Sequence, residues 1–382
     1  MNVKPQIRSP RWLKLAAVLW IGMCAAYILA GTSITPFHGD ESTLVYMSRD
    51  YAYQFLQGDL SLIRYSDPPV SAQEQDLRLL NGTVSKTLFG LAWHTAGFTI
   101  GDLNQQWDWG ADWNYNQSTG HGPSDALLNV TRIPSAALLA IGVIPMFLLG
   151  YTAGGWIGAF TAAALYTFHP ALLVNGRRAV MEGSLMAFSL LTVCAGLWFV
   201  RRRSWISALG MGIAGGLALA SKHTGAFTLI AVYGACALLM VIGLFRSAMR
   251  RESIRALGLL LGAGVLTIGV FLLLNPAWWS DPIGAAREVL RLRSALLEGQ
   301  TAAFGGYPGI GDALSGFFRQ TFGWTPQYFE IPAWQAYISE AIALREASGL
   351  AGVIAGAWII PVMAILERGG IDRGGARRNQ SD

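Results

Sequence analysis

Apolar runs dominate the chain, and most of them are longer than the core helix of a soluble protein needs. A membrane span takes about 20 mostly apolar residues. Runs of that kind occupy residues 13–34, 133–150, 156–173, 183–200, 205–220, 226–245, 256–274 and 350–366. The pattern predicts an all-α, polytopic integral membrane protein with about eight transmembrane helices. The first run follows Lys4, Arg8 and Arg11, is long, and has no clear small-residue cleavage site. It reads as an anchored span rather than a signal peptide.

Basic residues set the expected orientation. With the N-terminus in the cytoplasm, the cytoplasmic pieces hold 15 of the 28 Lys and Arg and only four acids, Glu252, Glu367, Asp372 and Asp382. That asymmetry has the positive-inside sign. A further apolar stretch, 84–100, would push the clusters at 201–203 and 246–255 outside if it crossed. It therefore reads as a helix lying at the outer interface. Two long segments remain on the extracytoplasmic side, 35–132 and 275–349. The second begins with Asn275-Pro276-Ala277-Trp278-Trp279, and Ser280-Asp281-Pro282 then reads as an N-cap with Pro in the first turn. The spacing predicts an interfacial helix to about Glu298, stopped by Gly299, with Ile283, Ala286, Val289, Leu290 and Leu297 on its apolar side. The expected organisation is a transmembrane module over 1–274 that includes the loop 35–132, then the segment 275–349, a last span over 350–366 and a disordered cytoplasmic tail over 367–382.

Composition narrows the class without changing this picture. Charged residues make up 13% of the chain, against about 25% in an average globular protein. Apolar residues reach 53%, and there are 14 Trp and 45 Gly; mean hydropathy is +0.39. Disordered, collagen-like and disulfide-scaffold classes are excluded. Cys24, Cys194 and Cys236 each sit in an apolar run and read as small hydrophobes. The isoelectric point of about 9.2 reflects basic residues beside spans, so no nucleic-acid partner is expected.

Ionisable residues at span ends are costly and mark candidate chemistry. Phe37-His38-Gly39-Asp40-Glu41 follows the first span, and its adjacent carboxylates suit proton transfer or cation binding. Arg177 and Arg178, with Glu182 nearby, run against the positive-inside tendency and ask for an anionic partner. Lys222 and His223 lie in a very short turn between two spans. Arg132 and Lys86 complete an expected outer rim of carboxylates and cations. Such a rim fits transfer from a phosphate-bearing lipid, with a carboxylate activating a hydroxyl while cations hold the departing phosphate. Asp40, Glu41, His38 and Glu182 could hold a divalent metal. The cations already neutralise a phosphate, so no metal is expected to be required.

These stretches resemble the type-C (GT-C) glycosyltransferases, in particular the protein O-mannosyltransferase-like family and the related aminoarabinose transferases. The Asp40-Glu41 pair stands at that family's signature position. Gly82-Thr83-Val84-Ser85-Lys86 is similar to a His-Pro-Pro-Leu-Gly-Lys element in its lysine and the helix that follows. Arg132-Ile133-Pro134-Ser135 resembles an Arg-Leu-Pro-Ser opening of the next span. Arg177-Arg178-Ala179 with Glu182, Ser221-Lys222-His223-Thr224-Gly225 and Asn275-Pro276-Ala277-Trp278 match further recurring stretches. The resemblance implies a polyprenyl-phosphate sugar donor, a glycan, lipid or protein acceptor, and inverting transfer at the extracytoplasmic face of the plasma membrane. It also implies Asp40 as general base and Glu41 as an orienting residue paired with Arg132. Lys86, Arg132, Arg177, Arg178, Glu182, Lys222 and His223 are then the substrate-binding candidates. Two other classes compete: a transporter or flippase for lipid-linked cell-envelope intermediates, and a non-catalytic scaffold.

Overall fold

The computed structural model describes residues 10–322. The expected span 350–366, the tail 367–382, and Lys4 and Arg8 lie outside the described residues. Among the described residues every regular element is helical: α1 (Arg11–Ala30), α2 (Gly39–Met47), α3 (Ala72–Leu80), α4 (Thr83–Thr95), α5 (Trp113–Ser118), α6 (Asp125–Ile141), α7 (Val143–Phe168), α8 (Pro170–Arg177), α9 (Glu182–Arg202), α10 (Trp205–Ser221), α11 (Gly225–Leu244), α12 (Arg250–Leu274), α13 (Pro282–Phe304) and α14 (Ile310–Phe322).

Five helical stretches among these residues are long and apolar enough to cross a membrane. The 44-residue stretch Asp125–Phe168 carries the expected span 133–150 and most of 156–173, whose last residues fall in α8 after a break at His169. The chain reverses inside α7, where Gly154 and Gly155 leave helical geometry and Gly155 adopts φ +62°. The limbs then pack edge to face through Tyr151–Trp156 and Phe147–Phe160. The run 205–220 forms α10, apolar but only 17 residues long. Its short length suits its position, because Gly212, Gly215 and Gly216 lie directly against Leu266, Thr267 and Val270 of α12. Small residues let membrane helices approach this closely.

Three expected boundaries move. The first helix ends at Ala30, capped by Gly31, and residues 32–34 leave the helix. The stretch 84–100 yields a helix of only 13 residues, α4, about 20 Å long at 1.5 Å per residue and too short to cross. Helix α13 begins as the sequence predicts, with the Asp281 side chain accepting from Gly284 N–H. It runs past Gly299 to Phe304 because Gly299 lies in ordinary helical backbone, whereas Gly305 takes φ +80° and ends it. The packed side of α13 also differs. Ala285, Val289 and Leu292 cover Leu79 of α3, and Ile283, Leu290 and Leu297 face outward.

Tertiary contacts gather one end of every span at a single level. Arg132 in the first part of α6 reaches Thr32 beyond α1. Arg177, closing α8, reaches the α1 carbonyls of Ile28 and Tyr27. Lys222 after α10 reaches Glu182, which opens α9. Thr83, opening α4, hydrogen-bonds Asn275 at the end of α12. A separate buried cluster built from Val45, Phe89, Trp93 and Leu127 ties α2, α4 and α6 together above the spans.

Candidate active site

The two adjacent carboxylates, both in the first turn of α2, take opposite environments. His38 caps α2, its Nδ1 accepting the Asp40 N–H at 3.1 Å. Its own N–H donates to Glu41 Oε2, which closes a capping box. This turn drives Glu41 inward, where it is completely buried. Arg132 grips it with two bonds, Nε to Oε1 at 2.7 Å and Nη2 to Oε2 at 2.8 Å. Ala179 N–H adds a fourth donor, 2.8 Å from Oε1. Glu41 therefore has no lone pair to offer a substrate. Its task is to lock the start of α2 to α6 and to the link between α8 and α9.

Asp40 turns the other way. It lines a cavity of about 680 Å³ together with Glu182, Lys222 and Arg293. Its side chain keeps 54% of its accessible surface, which opens onto a recess walled by α3, α9 and α13. Burial within this recess pushes the carboxyl up to about 6, reinforced by the Glu182 charge and opposed by Lys222 and Arg178. His38 Nδ1 lies 3.6 Å from the Asp40 carboxylate. That nitrogen already accepts a backbone N–H, so the approach is not an ion pair.

Lys222 binds Glu182 at 2.6 Å on the cavity wall, both side chains partly exposed. Arg293 comes from α13, and no carboxylate lies within ion-pair distance of it among the described residues. Its guanidinium donates to the Leu80 carbonyl. With Glu182 bound to Lys222, Arg293 is the cavity cation that no carboxylate holds at ion-pair distance among the described residues. The sequence reading missed it. The signal that could have found it is the stripe Arg293, Leu296 and Gln300 at helical spacing, all on the cavity wall.

The other candidates lie elsewhere. Arg178 is buried, donates to the Pro36 carbonyl at 3.0 Å and acts on Asp40 through its charge. Arg177 holds the end of α1, with Nε 2.8 Å from the Ile28 carbonyl and its guanidinium over the Tyr27 ring. Lys86 is 3% exposed and bound to Asp50 at 2.7 Å, on the same carboxylate that Arg78 grips at 2.8 Å. Burial opposes ionisation of Asp50, yet the two cations win and hold its carboxyl below the usual range. The structure thus places Lys86 in a buried triad that the sequence reading did not contain, because Asp50 and Arg78 gave no local pattern. His223 packs edge to face on Phe271 and Trp278. Burial, helped by Arg293, pushes its imidazole down to about 4, so the ring is neutral at pH 7 and adds no charge.

Two of the four expected metal donors are already engaged. Both Glu41 oxygens are saturated and His38 Nδ1 is occupied, which leaves only Asp40 and Glu182 of the four expected donors. Among the described residues no three His, Cys, Asp or Glu side chains group closely enough to hold an ion.

Residues 82–279 match the family model described as dolichyl-phosphate-mannose-protein mannosyltransferase. Among solved structures, the chain is similar to the S. cerevisiae protein O-mannosyltransferase Pmt1–Pmt2 complex bound to the sugar donor, with 17% identity and a TM-score of 0.47. That match covers 68% of this chain and 33% of the yeast chain, so the sequence spans about a third of the length of the relative it matches. A search of curated protein sequences found no match.

Proposed function

Because the chain belongs to the dolichyl-phosphate-mannose-protein mannosyltransferase family, we propose that it is a multi-pass membrane glycosyltransferase. It would move a sugar from a polyprenyl-phosphate donor to an acceptor hydroxyl, and Asp40 would be the general base. The observation that carries this reading is the cavity in which Asp40, with its carboxyl raised to about 6, faces Lys222 and Arg293. A base poised near neutrality and cations for a leaving phosphate are the two halves of such a transfer. The basic clusters at 201–203 and 246–255 lie at the opposite ends of the spans, which favours an extracytoplasmic site.

The proposed reaction is a single displacement with inversion. The acceptor oxygen forms a bond to the anomeric carbon while Asp40 takes its proton. The bond from that carbon to the phosphate oxygen breaks, and the lipid phosphate leaves with the electron pair. Lys222 and Arg293 meet the developing charge, Arg178 adds to the field, and Glu41 with Arg132 keeps Asp40 in place. These cations make a metal unnecessary, so turnover should persist in excess chelator; loss restored by magnesium or manganese would reverse that assignment.

The test is Asp40→Asn in purified protein supplied with a panel of polyprenyl-phosphate sugars. General-base assistance is worth about 10²- to 10⁴-fold. Single-turnover transfer should fall by that much while donor binding survives. Near-normal transfer would remove Asp40 as base. Donor binding with no transfer by the unsubstituted protein would favour a transporter or scaffold.

A further inference from the structure

At the end of the spans away from the Asp40 cavity, four helices meet over one apolar core. Phe199 of α9, Ala208 of α10, Met240 of α11 and Ala256 of α12 belong to the same buried cluster. Seven arginines crown it, at 201–203 and at 246, 250, 251 and 255. Glu252 is the one acid in this crown. Arg203 takes it at 3.1 Å, which ties the turn between α9 and α10 to α12. The other six arginines are exposed and hold no carboxylate at ion-pair distance among the described residues. Arg250 and Arg251 stand in the first turn of α12, an end that no side chain caps. The helix dipole already presents positive charge there and favours an anion.

We propose that the outward face of α12 below this crown binds an acidic phospholipid, with the phosphate at Arg251 and Arg255 and an acyl chain running along the helix. One face carries both halves of such a site. Arg251, Ile254 and Arg255 are followed at helical spacing by Gly258, Leu261 and Gly262, and all six are exposed. A side-chain carbon at Gly258 or Gly262 would meet nothing within 4 Å. The two glycines therefore leave a furrow beside Ile254, Leu261 and Val265, each more than half exposed. Guanidinium forks match phosphate oxygens with paired hydrogen bonds, and an alkyl chain in the furrow gains dispersion contacts along its length.

The rim of the crown also suits a lipid. Phe245, next to Arg246, is 87% exposed, and Trp205 after the turn and Ile254 between Arg251 and Arg255 are exposed as well. Large apolar side chains interleaved with arginine fit the boundary between headgroups and acyl chains. An acidic polypeptide could neutralise the arginines, but Gly262 lies about 10 Å further along the axis than Arg255. A chain with unpaired backbone groups would not follow the furrow to that depth. No residue of the Asp40 cavity takes part, so this site stands whether or not the chain transfers a sugar.

The experiment uses the full chain, delipidated in mild detergent, and counts bound lipid by native mass spectrometry. Dioleoyl phosphatidylglycerol and dioleoyl phosphatidylcholine are titrated in parallel. The acidic lipid should be retained as a discrete copy, with an affinity about tenfold or more above that of the zwitterionic one. Arg251→Gln/Arg255→Gln should weaken phosphatidylglycerol binding by about 10- to 30-fold, the effect of two arginines beside an acidic headgroup. Gly258→Leu/Gly262→Leu fills the furrow and should weaken it as well. Arg287→Gln/Arg291→Gln removes the same charge from α13, at the other end of the spans, and should leave the affinity unchanged. Every substituted position is exposed, so a loss of binding reports the site and not the fold. Equal retention of the two lipids, an equal loss in the α13 variant, or full affinity in Arg251→Gln/Arg255→Gln would each overturn the proposal. A lipid-free dimer that Gly258→Leu/Gly262→Leu converts to monomer, with lipid affinity unchanged, would overturn it in favour of a second copy of the chain in the furrow.

Discussion

Replacing Glu41 with Gln changes one atom and should be among the most damaging substitutions in the molecule. All four hydrogen bonds to Glu41 are accepted by its oxygens: two from Arg132, one from Ala179 N–H and one from His38 N–H. A glutamine amide keeps one acceptor oxygen and turns an NH₂ group toward two of these donors. It also leaves the Arg132 guanidinium, 3% exposed, without its counter-charge. Removing one partner of a buried pair costs about 3–5 kcal/mol. Two donors deprived of acceptors, at about 1–3 kcal/mol each, give a similar figure by another route. Arg132→Met should cost about as much, because it strands the buried carboxylate. The double variant should cost less than the sum of the singles by about 2 kcal/mol, within the range for residues in direct contact. The assay is reversible denaturant unfolding in mixed micelles, followed by tryptophan fluorescence, on the three variants and the parent. Losses below about 1 kcal/mol in the singles, or simple additivity in the double, would refute a structural role for the pair.

Three further outcomes follow from the site. Asp40 must be ionised to take a proton, so the single-turnover rate should be level above pH 6 and fall about tenfold per pH unit below it; the same acid limb in Asp40→Asn would exclude Asp40 as its source. Lys222→Met and Arg293→Met each remove a charge-assisted contact worth about 1.5–3 kcal/mol, so each should weaken polyprenyl-phosphate binding by roughly 10- to 150-fold in calorimetry. Unchanged affinity in Arg293→Met would leave α13 as a mere wall. Lys86→Met should cost about 3 kcal/mol, the low end for a broken buried pair because Arg78 still neutralises Asp50, and should leave donor affinity intact; a selective loss of donor affinity would return Lys86 to the site.

The spans were legible because hydrocarbon imposes one simple demand, a long apolar run, and seven such runs became helices among the described residues. The pairing of Glu41 with Arg132 was legible through the family resemblance. The different settings of Asp40 and Glu41 were implied by the resemblance and not by the residues themselves. That difference depends on which side of a capped first turn each residue occupies, and one residue's rotation puts one carboxylate in a cavity and the other in the core. Lys86 and Arg293 illustrate a second limit. A lysine near a membrane surface looks the same whether it meets a ligand or a buried Asp50, and the partner lies 36 residues away. Arg293 was hidden on the polar side of an amphipathic helix, where Arg287 and Arg291 have equal standing until the helix is docked.

The Glu41 knot also has a timetable. Its partners leave the ribosome 91 and 138 residues after Glu41 itself. At synthesis rates of about 5–20 residues per second, the carboxylate waits roughly 5 to 30 seconds for its ligands. Until then a charged side chain sits at the end of the first inserted helix with no counter-ion. Only a nascent chain that has integrated α6 in the correct sense, reversed at Gly155 and delivered Ala179 to the same side can neutralise it. The knot thus couples the start of α2 to the correct placing of α6 and α9: a chain that mis-inserts an intervening helix leaves this acid and this base apart, each without its partner.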